Sequence, residues 1–294
     1  MSLSLNLKSA QLKFLKGLGK NEGDILVYRG ANWESEAQPE VVLHDENDTI
    51  RIGRLAGENS AGNRSVNIGL KANETNAGTD SIAIGQVTTA GADSVAVGHN
   101  AQATGTNSVS LGKGAEASTT DSIAIGNDAS ATGNVRNIVI GKSASAKFGD
   151  SIAIGSQTQA GFWDTIAIGR AVQADGYYAL ALGNSADASG QSSIALGRLA
   201  DAGAEDAIAI GESSSAGGAS SIAIGVDADA GSQSIAIGMG AQATTADTLA
   251  IRLANNPANE LTSTFSTNAA AGAVSTYLEV TLGGTAYKIP LHTP

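Results

Sequence analysis

The groups in this chain that could do acid–base or metal chemistry are few and scattered. There are three histidines, no cysteine and 28 acidic side chains. His44, His99 and His292 lie far apart on different expected elements, so no Ser–His–Asp arrangement assembles from neighbours. His99 directly follows a recurring glycine and reads as a surface residue on a turn. The adjacent carboxylates Glu205/Asp206 and Asp227/Asp229 would serve glycoside hydrolysis only within a defined cleft. Asp187, Asp201 and Asp229 recur at one position of a repeat and read as a solvated acidic face. Their oxygens would suit Ca²⁺, but the Gly-Gly-x-Gly-x-Asp turn of calcium-binding rolls is absent. Gly17-Leu18-Gly19 is not followed by the lysine of a phosphate loop. The expectation is therefore no catalytic residue, no cofactor and no metal: not an enzyme.

One cluster stands apart. Between residues 50 and 253 there are only five aromatic side chains, Phe148, Phe162, Trp163, Tyr177 and Tyr178. They sit five to seven residues before Gly155, Gly169 and Gly183, in the same turn of three consecutive repeats. Stacked coils would gather them within about 10 Å along the stacking axis. They form the candidate receptor or partner patch. One reading is an exposed platform for a glycan or a protein; the other is packing of the turn of one copy against the flank of the next.

These residues hang on a repeat. Ser-Ile-Ala-Ile-Gly or a close variant closes at fourteen glycines from Gly53 to Gly238, with spacings of 16, 16, 13, 14, 14, 15, six of 14 and a final 13. A last copy, Thr248-Leu249-Ala250-Ile251, ends in Arg252 where glycine is expected. Three and five residues after most glycines stand two alanines, as in Ala101/Ala103, Ala115/Ala117, Ala129/Ala131 and Ala144/Ala146. A polar residue separates them, such as Gln102, Glu116, Ser130, Ser145, Asp187, Asp201 or Asp229. Both halves alternate with period two, which indicates strands and not helices. Each repeat is thus two short strands and two tight turns, one coil of a flattened solenoid. About 14 or 15 coils, each rising roughly 4.8 Å, would give a rod near 70 Å long.

The alanine pair must face inward, because the residue between them is polar. The first strand leaves two choices. Volume matching places the Ile pair inside against the alanines, leaving Ser122, Ala124, Gly126 and their equivalents as a smooth outer stripe for contact with identical copies. The alternative turns the Ile pair outward onto a trimer axis and Ala124 inward.

The pattern Ser-Ile-Ala-Ile-Gly-x-x-Ala-x-Ala-x-Gly resembles the head repeat of YadA-like trimeric autotransporter adhesins over roughly residues 50 to 253. The resemblance implies an all-β, left-handed parallel β-roll of 14-residue repeats, homotrimeric, with adhesion through its outer surface. The signal peptide, coiled-coil stalk and membrane-barrel anchor of such adhesins are not seen in the sequence. The segment from Gly23 to Trp33 resembles a short hairpin of bacteriophage fibre and virion proteins, and Tyr277 to Leu291 is similar to terminal hairpins of phage structural proteins. The expectation is then a phage virion fibre, spike or decoration protein at the particle surface, attaching to a virion structural protein or to a host receptor, glycan or protein. The alternative is the head of a bacterial trimeric autotransporter adhesin at the cell surface, and a polysaccharide-degrading spike is a third reading.

The expected organisation is an N-terminal arm and hairpin cap (1–49), the repeat domain (50–253), a linker (254–275) and a C-terminal hairpin knob (276–294) around Gly283-Gly284. Gly is abundant at 37 residues while aromatics make up 4%, which suits recurring turns around a thin core. A net charge of −11 argues against nucleic acid, which needs Lys/Arg clusters. No stretch approaches the roughly 18 apolar residues of a membrane helix, so no membrane insertion is expected.

Overall fold

The computed structural model describes residues 49–57, 64–74 and 78–252, together with six flanking strands at Leu26–Arg29, Asn32–Ser35, Val41–Val42, Glu260–Thr264, Tyr277–Leu282 and Thr285–Pro290. The described residues are all β and turn, with no helix. They form two compact units, Met1–Ser118 and Thr119–Pro294.

In the first unit the three-residue strands Ile50–Ile52, Val66–Ile68, Ile82–Ile84, Val95–Val97 and Val109–Leu111 pair in parallel, each on the next. The uneven spacings leave the register intact. A second parallel ladder joins Thr89–Ala90, Gln102–Ala103 and Glu116–Ala117. The second unit repeats the plan from Ile123–Ile125 to Thr248–Arg252, with Ile opposite Ile or Leu and Ala opposite Ala at nearly every step. Its two-residue strands, from Ser130–Ala131 to Gln242–Ala243, form the facing ladder, interrupted only by single bridges at Asp201. Each unit is thus a parallel β-solenoid, as the repeat predicts.

Two backbone devices close each coil. The repeat glycine takes a φ that few other residues tolerate: at Gly126 φ is +137°, and a Cβ there would lie 2.7 Å from the carbonyl carbon of Gly141 in the next coil. Each turn also holds one residue in the left-handed region, at φ between +51° and +62°. In the second turn this position is Asp80, Asp93, Asn107, Asp121, Asp150, Asp164, Asp206 or Asp247 in most coils, because Asp and Asn tolerate that region best after glycine. Many of the chain's carboxylates are therefore there for backbone conformation.

The interior is alanine and hydroxyl. Ala124, Ala153 and Ala167 of the first strand, and Ala129/Ala131 and Ala186/Ala188 of the second, are all at most 1% exposed. The placement of the Ile pair inside is overturned: Ile123 and Ile125 lie on the outer face, half-exposed, and Ser122 and Ala124 are buried. The reason lies in the serine. Ser94 Oγ donates to Gly91 O at 2.7 Å and Ser108 Oγ to Gly105 O at 2.7 Å, bonds that tie the hydroxyl to the turn inside the coil. Period two then sends the following Ile outward. The smooth Ser-Ala-Gly stripe expected outside is the lining of the core.

The ends of the ladders are marked by antiparallel strands. Val41–Val42 pairs with Ile50–Ile52, and Glu260–Thr264 pairs with Thr248–Arg252. The latter strand falls within the span read as linker. Leu26–Arg29 pairs antiparallel with Asn32–Ser35, and Tyr277–Leu282 with Thr285–Pro290. The expected arm over residues 1–20 lies outside the described residues. At the C-terminal end Arg252 replaces the repeat glycine, and its guanidinium donates to Gly240 O at 2.6 Å.

Candidate functional site

The inner positions hold mostly Ala, Ser and Thr, with Val139, Val172, Asn67, Asn73 and Asn137 the largest buried side chains among the described residues; the aromatic rings stand on the turns. The second turn of three coils in the second unit holds the aromatic group. Phe148 and Phe162, one coil apart, stack with centroids 4.8 Å apart and planes at 19°. Tyr177 meets Phe162 edge-on at 4.3 Å, and Trp163 lies 6.2 Å from Phe148. Tyr178 is 6.3 Å from Tyr177. All five expected residues are thus in one contiguous cluster.

The cluster is built in, not scattered. Gly149 stands one coil before Trp163 at the equivalent position, and a Cβ there would lie 2.7 Å from the indole Cζ3. Glycine at 149 therefore leaves the space that the indole fills. Tyr178 occupies the left-handed position of its turn, at φ +60°, where other coils place Asp, Asn, Ser, Arg or Gln. A bulky aromatic costs about 1–3 kcal/mol in such a conformation. Little packing offsets it, for Tyr178 is 62% exposed and Tyr177 42%.

Carboxylates flank the rings. Along the left-handed column run Asp150 and Asp164, and Arg136 grips Asp150 through two bonds of 2.5 and 2.7 Å. That contact holds the Asp150 carboxyl below its ordinary range. The Arg136 guanidinium is held above its own ordinary value, first by the hydrogen bond to Asp150 and further by Asp121 and Asp164. On the other side of the rings, Gln159 Nε2 donates to Asp175 Oδ1 at 3.0 Å. Beyond it Asp187 bridges Asp201 on the adjacent coil. Burial pushes the Asp187 carboxyl up, against the hydrogen bond from Ser189, and the charges of Asp201 and Asp175 push the same way.

The acidic column expected on the second strand is therefore present between Asp187 and Asp201, while Ser215 intervenes before Asp229. His99 is exposed on its turn; His44 and His292 lie outside the described residues. Among the described residues no three His, Asp or Glu side chains gather as metal ligands, and no helix is long and apolar enough to cross a membrane. Sequence reasoning missed the left-handed ladder and the Gly149–Trp163 fit. Both were signalled, by the recurrent Asp or Asn two residues before the Ile pair and by a lone glycine one coil from a tryptophan.

With this geometry in place, the coil can be set beside known proteins. The profile described as YadA head domain repeat (2 copies) matches residues 90–115, 117–134, 138–158, 174–200 and 202–228. Over these stretches the chain is similar to YadA head domain repeats. Among solved structures, the collagen-binding domain of the Yersinia adhesin YadA is similar at 22% identity and a TM-score of 0.29, over 58% of this chain and 77% of that chain. No curated protein matches the chain. The profile match breaks between residues 158 and 174, and that gap holds Phe162 and Trp163. Phe148, Tyr177 and Tyr178 fall inside matched stretches.

Proposed function

We propose that this chain is a non-enzymatic surface-attachment protein of adhesin-head type, working as a homotrimer. One observation carries the reading. A strip of half-exposed Ile, Val and Leu runs along the outer face of a solenoid whose own core is already filled by alanine. Ile224, Ile235 and Ile237 remain 37–38% exposed. Contiguous aliphatic surface of this kind favours association, and three copies set face to face around an axis would cover it. The bacterial cell surface is the site of action that the YadA-head repeats favour. Binding of the purified chain to host cells or matrix, with the oligomer measured by light scattering, tests the proposal. A single-copy species that adheres to nothing would reject it.

A second reading keeps the chain on a phage particle. It is supported by the strand pairs Leu26–Arg29/Asn32–Ser35 and Tyr277–Leu282/Thr285–Pro290, which fall in the flanks that resemble phage proteins. Immunolabelling in electron microscopy separates the two: label on virions selects the phage fibre, label on bacterial envelopes the adhesin head. A polysaccharide-degrading spike would show new reducing ends when the chain is incubated with host polysaccharide.

A further inference from the structure

Resting on the surface-attachment reading, we propose that the aromatic turn of the second unit is a docking site for a basic protein segment, one that presents arginine or lysine side chains in an extended stretch. Three independent observations support it. First, the rings are surplus to the fold. Alanine fills the core of these coils, yet Tyr177 and Tyr178 leave ring surface in water, and Tyr178 does so from a strained backbone. Exposed rings that the core does not need are open to a partner.

Second, the charge around the rings has one sign left over. The ion pairs among described residues engage Asp80, Glu74, Asp150 and Glu212, so Asp164, Asp175 and Asp187 are outside them. Arg136 on this edge is already held by Asp150. The partner of Asp175 is the neutral amide of Gln159, which orients the carboxylate without cancelling its charge. Third, the edge already holds one guanidinium, since Arg136 binds the Asp150 carboxylate through two side-chain bonds. A guanidinium brought by a partner meets this edge's other carboxylates and also aromatic faces, to which cations are attracted.

An uncharged glycan is the weaker fit. Phe148 and Phe162 cover one another's faces in a stack, so a glycan would find open ring surface only at Tyr177 and Tyr178 and, being uncharged, would leave the carboxylates beside them unanswered. A second copy of this chain is also a weaker fit, because the chain is itself strongly acidic. Repetition by symmetry would strengthen a weak contact through multivalency.

The test uses the full chain with Trp33→Phe, which leaves Trp163 as the sole tryptophan. Its fluorescence is titrated with an alternating Arg-Gly peptide, with the matching Glu-Gly peptide, and with a neutral linear oligosaccharide. The expected result is saturable change with the Arg-Gly peptide alone, weakening as salt rises. Tyr178→Ser and Asp164→Asn should each weaken it roughly tenfold, about the size of one cation–aromatic or charge contact, with circular dichroism unchanged. A response to the oligosaccharide instead, an Arg-Gly titration insensitive to both substitutions, or a change of oligomeric state in Tyr178→Ser would each overturn the proposal. The same variants are assayed for adhesion. If the chain adheres and both variants adhere equally, this site is wrong and the attachment reading stands. If the peptide binds as expected and the chain adheres to no surface, the site stands and the attachment reading falls.

Discussion

Replacing Ile235 and Ile237 together by serine separates the outer aliphatic strip from the coil beneath it. Both side chains project from the strand Ile235–Ile237, and between them Ala236 stays at 0% exposure. Full burial of an Ile side chain is worth about 1.5–3 kcal/mol. With 37% and 38% of each residue still exposed, covering the remainder is worth roughly 0.6–1.1 kcal/mol per side chain. A trimer brings six such side chains together, so the pair contributes roughly 3–7 kcal/mol to assembly at this one coil. Sedimentation over a dilution series reads the loss directly: the doubly substituted chain should dissociate at concentrations where the parent remains assembled. Asp229→Ser, on the opposite ladder, is the control and should leave assembly unchanged. Circular dichroism keeps the comparison fair, because parallel coils should persist in both variants. A double variant that assembles as tightly as the parent would refute the claim that this face is covered.

Gly126→Ala should lower the urea midpoint of unfolding by an amount equivalent to about 1–3 kcal/mol, because φ +137° is open to little but glycine. Ser143→Gly, at φ +53° in the next coil, should be neutral or slightly stabilising by the same measurement. Asp187→Asn should raise the melting temperature at neutral pH and leave it unchanged in acid. The carboxyl's folded pKa is raised by burial, so its ionised form destabilises the fold once the pH rises through that value. Asp150 has the opposite sign. Its pKa is lowered by Arg136, so the stability it contributes is present above the ordinary carboxylate range and is lost as the pH falls through the depressed value. The pair is exposed, so Arg136→Gln should shift the melting temperature only slightly, and high salt should erase even that.

Much of the coil was legible because the repeat writes the same constraint many times. The glycine spacing, the inward Ala101/Ala103-type pairs and the outward Gln102, Glu116 and Ser130 all follow from alternation and polarity, and the structure agrees. The facing of the Ile pair was not legible from alternation, since period two is symmetric between the two sides of a strand. Volume matching chose wrongly because it weighed methyl groups and ignored a hydroxyl. The bonds of Ser94 and Ser108 to their turn carbonyls fix the side, and every Ile follows. The aromatic cluster was readable as one turn because the register is strict. Its flanking carboxylates were not, because the left-handed ladder that places Asp150 and Asp164 beside the rings is a backbone property.

That ladder also explains where chemistry can appear in such a chain. Inward positions among the described residues take nothing larger than Val139, Val172 and the buried asparagines Asn67, Asn73 and Asn137, and the corner glycines abut the next backbone. The outer positions of the first strand carry Ile, Val or Leu in each described coil. What remains free is the outward residue of the second strand and the two turns. Variation concentrates there: Gln, Glu, Ser and Asp on the strand, and rings in one turn alone. Because stacking is strictly in register, a substitution in a turn recurs beside its neighbours at one coil's rise and disturbs only the adjoining coils. A solenoid of this kind can therefore gain a binding site by changing a few turn residues in consecutive coils while its core stays as it was. Phe148, Phe162, Trp163, Tyr177 and Tyr178, with Gly149 cleared beneath the indole, have the form of such a graft.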